Sequence, residues 1–140
     1  MKRITTTLLG VGLLGVWPCA AGAGLTEDDF YIKNAQDLVD LCAVSEGDPL
    51  ANQAIHFCEG FASGAWQYYE LTTARTKPFV CLPEPRPSRD QAVAAFVAWA
   101  RDPARAGRMA EPAVETLFRF LHETWPCAGQ AAGGPEGRTQ

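Results

Sequence analysis

The residues of this 140-residue chain best suited to chemistry are its cysteines. Cys42, Cys58, Cys81 and Cys127 follow one another at separations of 16, 23 and 46 residues, and a fifth, Cys19, stands near the start. Thiolates spaced C-x-x-C would point to structural zinc or to thiol–disulfide exchange, and no such pair occurs. A nucleophilic thiol needs a base, for which His56 and His122 are the two histidines available. His56, Glu59 and Ser63 fall at helical spacing and could be taken for an acid–base constellation. The simpler reading is the solvated stripe of an otherwise apolar helix. His122 and Glu123 near the end of the last helix read the same way, since a histidine suits the negative end of a helix dipole. There is no Gly-rich phosphate loop, no G-x-S-x-G elbow and no H-E-x-x-H. The residue pattern calls for no catalytic group, metal or cofactor.

Compartment decides what the thiols do. Lys2 and Arg3 form a positive start, Leu8 to Trp17 is an apolar run, and Ala21-Gly22-Ala23 is a small-x-small cleavage site. Ten apolar residues are too few to cross a bilayer, which takes about 20, so residues 1–23 read as a secretory signal peptide and the product as periplasmic. Trp17-Pro18 before Cys19 is a poor match to the small residues that lipid attachment prefers, so Cys19 is expected to leave with the leader, with lipid attachment as the lesser alternative. The remaining four cysteines, in an oxidising compartment, predict two disulfides. Hydrophobic residues make up 47% and charged residues 20%, which excludes a disordered, collagen-like or polytopic membrane chain. Sixteen acidic residues against 12 basic ones argue against nucleic acid as a partner.

The elements that must position these groups are helices. Asn34 caps a first helix with Asp37 in its first turn, and Ala35, Leu38, Leu41 and Cys42 share one face. Asp48-Pro49 starts a second helix running to about Leu71. It is apolar over most of its circumference and so is expected in the middle of the bundle, with Gly60 and Gly64 admitting another backbone element closely. Lys77 to Pro87 holds four prolines and cannot be helical. Ser88-Arg89-Asp90-Gln91 has the form of a capping box for a third helix, on which Val93, Phe96, Val97 and Ala100 face inward until Asp102. A fourth helix spans about Met109 to Thr124 with Val114, Leu117, Phe118 and Leu121 inward. Residues 128–140 carry no apolar periodicity and read as a disordered tail. The fold class is all-α, a small four-helix up-down bundle with two disulfides. Short connections put Cys42 and Cys58 at one end and Cys81 and Cys127 at the other, so the pairs expected are Cys42–Cys58 and Cys81–Cys127.

Binding surfaces are sought where charge and aromatic rings gather. Arg101, Arg105 and Arg108 cluster between the third and fourth helices of an acidic chain, and arginine is enriched at interface hot spots. They are expected in a solvated loop where they add little to folding. The proline-rich stretch from Glu84 to Arg89 is the other candidate wedge. Of Trp66, Tyr68, Trp99 and Trp125, most belong to the core and one or two are free to anchor a partner.

Several short motifs now stand in order: Leu38-Val39-Asp40-Leu41-Cys42, then Cys58-Glu59-Gly60-Phe61 with Gly64, then Val80-Cys81-Leu82-Pro83 with Gln91, and finally Trp125-Pro126-Cys127. Together they resemble the immunity proteins of type VI secretion amidases, the Tai/Rap-type family, over residues 34–127. The resemblance implies a helical domain over residues 24–127 that binds a delivered peptidoglycan amidase and occludes its active-site cleft. Dimers among such proteins imply a possible homodimer. The matched motifs are scaffold residues, so no inhibitory contact carries over from them. The competing reading is a periplasmic stress- or acid-responsive chaperone, which would expose apolar surface on carboxylate protonation where an inhibitor would stay folded.

Overall fold

The computed structural model describes residues 24–129. The expected signal peptide and, beyond residue 129, the expected tail lie outside them. Four helices make up the fold: α1 (Ala35–Cys42), α2 (Ala51–Thr73), α3 (Arg89–Ala100) and α4 (Ala113–Thr124). Short 3-10 helices lie at Glu27–Phe30 and Pro103–Arg108. Among the described residues no helix is long and apolar enough to cross a membrane.

Two helix starts are written in the sequence and form as written. The Asn34 side chain accepts from the Asp37 amide at 3.1 Å, and the Asp37 carboxylate accepts in return from the amides of Asn34 and Lys33. Ser88 and Gln91 exchange the corresponding pair of bonds at the head of α3. Each box satisfies amides that a helix start otherwise leaves without acceptors. The other two starts differ from expectation. Asp48 does not cap α2 from the adjoining position; its carboxylate binds the amides of Leu50 and Leu25, tying the N-terminal segment to a helix that begins at Ala51. The fourth helix begins at Ala113 rather than near Met109, with Pro112 extended at its N-cap. A proline disfavours helical backbone in the residue before it, and the preceding chain forms a 3-10 turn instead.

The centre of the molecule is α1, not α2. Five of its eight residues are buried, and it touches each of the other three helices. On α2 only Ala54, Cys58 and Tyr69 are buried, while Phe57, Tyr68 and Leu71 are exposed. The three other helices, of 8, 12 and 12 residues, cannot cover a 23-residue helix on all sides, so its broad apolar surface is half used. Among the described residues no close neighbour meets Gly60 or Gly64: a methyl group added at either would contact nothing within 4 Å. On α4 the buried face is Ala113, Thr116, Leu117, Phe120 and Leu121. Val114, expected inward, is 46% exposed, because the face is turned by one residue and centred on Phe120.

Both disulfides form as expected, Cys42–Cys58 and Cys81–Cys127. On the chain-entropy account, loops of these lengths contribute about 3 and 4 kcal/mol. The second is reinforced by backbone bonds: the Cys81 amide donates to the Trp125 carbonyl at 2.8 Å and the Cys127 amide to that of Phe79 at 3.4 Å. The connector itself is pinned by one hydroxyl. Tyr69 Oη accepts from the amides of Phe79 and Val80 at 2.8 and 2.9 Å, and its ring packs against Phe79, Phe118 and Trp66.

Tyr69→Phe keeps the ring and strands two amides, one of them on buried Val80. It should cost about 1–3 kcal/mol, a loss readable in urea unfolding. Gly60→Ala and Gly64→Ala meet open space on a helix and should each stabilise the isolated protein by roughly 0.5–1 kcal/mol. A lowered unfolding midpoint for either would mean that something does pack closely there.

Candidate partner-binding site

The three arginines stand on the segment from the end of α3 to the start of α4, which is an ordered turn. Asp102 caps the 3-10 helix by accepting from the Ala104 amide at 2.9 Å, and Pro103 occupies its first position. At the far end, the carbonyls of Met109 and Glu111 accept from the amides of Gln36 and Ala35 at 3.0 and 2.8 Å. Those amides open α1 and have no acceptor within it, so the arginine turn is bolted to the central helix.

Within the turn the arginines differ. Arg101 is exposed and makes no ion pair among the described residues. Arg108 reaches Glu111 at 3.4 Å. Arg105, expected as a solvated charge, is only 25% exposed at its side chain. Its guanidinium lies 4.7 Å from the centre of the Trp99 ring and bonds Asp102 and, at 3.0 Å, Glu123. The Trp99 indole N–H donates to the same Glu123 oxygen at 2.9 Å. Burial pushes the Glu123 carboxyl up, but the indole and the Arg105 guanidinium outweigh it and hold it below the ordinary carboxylate range. Arg105 is thus a structural clasp between α3, the turn and α4.

The other candidates sort as follows. His56 Nδ1 stands 3.7 Å from Glu59 on α2, the histidine exposed and the carboxylate mostly covered, and among the described residues no other ion pair involves either. His122 meets the edge of Phe79. Among the described residues no group of three metal-ligating side chains occurs. The connector wedge, Glu84 to Arg89, is exposed except at Pro87. Beside it, between α2 and α3, a groove of about 310 Å³ descends to Leu38 and Phe120.

An immunity-protein family accounts for this architecture. The family model described as Rap1a immunity proteins matches residues 34–127, from the Asn34 cap to the last disulfide. The chain belongs to the Rap1a immunity protein family. No curated protein and no solved structure matches it. A Rap1a immunity protein is not an enzyme, which agrees with the absence of a catalytic constellation in the sequence. Membership implies that it binds and inhibits a cognate type VI secretion effector.

Glu123, expected with His122 as part of a solvated helix end, instead pairs with Trp99 and Arg105, and the sequence held a signal for this. A carboxylate in the last turn of a helix opposes the dipole, so it belongs there only with a compensating partner. The Trp99 and Arg105 pairing supplies one.

Because the folded Glu123 carboxyl ionises below its ordinary 4.5, folding favours its charged form. Its contribution is complete above that pH and is lost as pH falls through the lower folded value. Asp29, held down by the Thr26 amide and hydroxyl, acts in the same direction. Glu123→Gln should therefore cost on the order of 1 kcal/mol at neutral pH. It should also flatten the fall in thermal midpoint between about pH 5 and pH 3. An unchanged acid limb would remove Glu123 from the linkage.

Proposed function

We propose that this Rap1a immunity protein is exported to the periplasm, where residues 24–127 fold as the mature domain and block a peptidoglycan amidase delivered by type VI secretion. One observation carries the reading: the family match spans the whole disulfide-linked helical unit. Two disulfides suit an oxidising compartment, and the N-terminal pattern reads as the leader that reaches it.

Inhibition is by occlusion of the active-site cleft, and the turn carrying Arg101, Arg105 and Arg108 is the element that enters it. A turn held at both ends, by the Asp102 cap and the α1 amides, loses little freedom on binding, and preorganisation of that kind improves affinity. Arg101 has its charge unspent and makes the contact; Arg108 flanks it, and Arg105 keeps the turn in shape. Arginine on such a support can hold a carboxylate by two parallel hydrogen bonds.

The purified mature protein should abolish hydrolysis of peptidoglycan by its cognate effector at a stoichiometric ratio. Arg101→Glu should weaken that inhibition at least about tenfold, or 1.4 kcal/mol, with the thermal midpoint unchanged. The triple alanine variant of Arg101, Arg105 and Arg108 should weaken it further and lower the midpoint through loss of the Arg105 clasp. Full inhibition by Arg101→Glu would move the interface elsewhere, and a cognate effector without amidase activity would overturn the choice of target.

A further inference from the structure

The groove beside the connector is independent of the arginine turn. Its floor is the centre of the core, Leu38, Phe96 and Phe120, and its walls include Trp66, Leu82 and Trp125. At about 310 Å³ it lies at the lower end of the range of small-molecule sites, roughly 300–1,000 Å³. Apolar space of this kind is filled by apolar groups rather than by water, which would find too few polar partners there.

The polar groups sit at its mouth and are arranged by charge. Arg86 and Arg89 stand on the connector and α3 rim. Arg89 makes no ion pair among the described residues, and Arg86 reaches only Glu70, at 3.6 Å across an exposed pair. Such a pair contributes little and exchanges readily for another carboxylate. The acid of the groove, Glu59, stands on the α2 side, with its side chain 15% exposed and facing His56. Asp90, the acid nearest Arg89 in sequence, lines a different depression together with Arg101. An apolar interior with two guanidinium groups at one lip is complementary to an amphiphile of one apolar chain and one anionic head.

We infer that this groove binds a single-chain carboxylate amphiphile, with the chain on the core floor and the carboxylate at Arg86 and Arg89. Calorimetric titration of the mature protein with hexanoate, octanoate and decanoate tests it. Binding should be saturable at one site, and each added methylene should tighten it about fourfold until the floor is reached. Octan-1-ol should bind more weakly than octanoate, and octylammonium more weakly still. Arg86→Ala with Arg89→Ala should reduce octanoate affinity about tenfold and leave that of octan-1-ol unchanged. Ala62→Leu and Ala92→Leu fill the groove from opposite walls, and either one, once shown to be folded by its circular dichroism, should abolish binding of both.

Equal affinity for octanoate and octylammonium would overturn the assignment of the head group. Undiminished binding to a folded, filled variant would overturn the assignment of the groove. The absence of saturable binding by any of the three carboxylates would overturn the proposal as a whole, as expected if the groove instead receives a side chain of a protein partner.

Discussion

An eight-residue helix does not persist in water alone; isolated helices shorter than about 12–15 residues are marginal even with favourable sequences. Yet α1 is that short and lies at the centre of this fold. Everything around it serves to hold it. Asn34 and Asp37 close its start, the carbonyls of Met109 and Glu111 take its first amides, and Cys42 bonds its last residue to α2. Burial of Leu38, Val39 and Leu41 supplies the driving force, and the polar attachments decide where the helix sits. The arginine turn shares this constraint, because the amides that need acceptors at the head of α1 fix the turn that provides them.

The sequence made visible those features that depend on neighbouring residues. The capping boxes at Asn34 and Ser88 need only three-residue spacing, and both form. The disulfide pairing followed from helix order and short connections. What escaped depended on competition for the core. The apolar circumference of α2 suggested the central position, but a short helix with a denser apolar face took it. On α4 the inward face is shifted by one residue, since Phe120, flanked by Phe96, Trp99 and Trp125, occupies the middle of the aromatic cluster. The glycines of α2 are open for the same reason that Tyr68 and Leu71 are exposed: among the described residues nothing packs over that side of the helix.

The binding candidates were legible as a charge cluster but not in their division of labour. Three arginines within eight residues look equivalent in a sequence. In the fold Arg105 stacks on Trp99 and bridges two carboxylates, while Arg101 makes no ion pair among the described residues. Those partners, Trp99 and Glu123, are separated by 24 residues, beyond any local pattern. The short motifs that stand in order along the sequence behave in the same way: their cysteines, glycines and prolines shape the backbone while Leu38 and Leu41 fill the core, so they mark the scaffold and not its contacts.

The longer disulfide has a consequence for resistance to proteolysis. Cys81 and Cys127 close a covalent ring of backbone that contains α3, the arginine turn and α4. A protease that cut one peptide bond anywhere in the turn would leave both fragments tethered. α3 would stay attached through Cys81 and α4 through Cys127, with the Trp99, Arg105 and Glu123 contacts positioned to keep the nicked ends in register. Two cuts within the ring are then needed to release any piece of it, so a single cleavage in the turn costs the molecule no part of its chain.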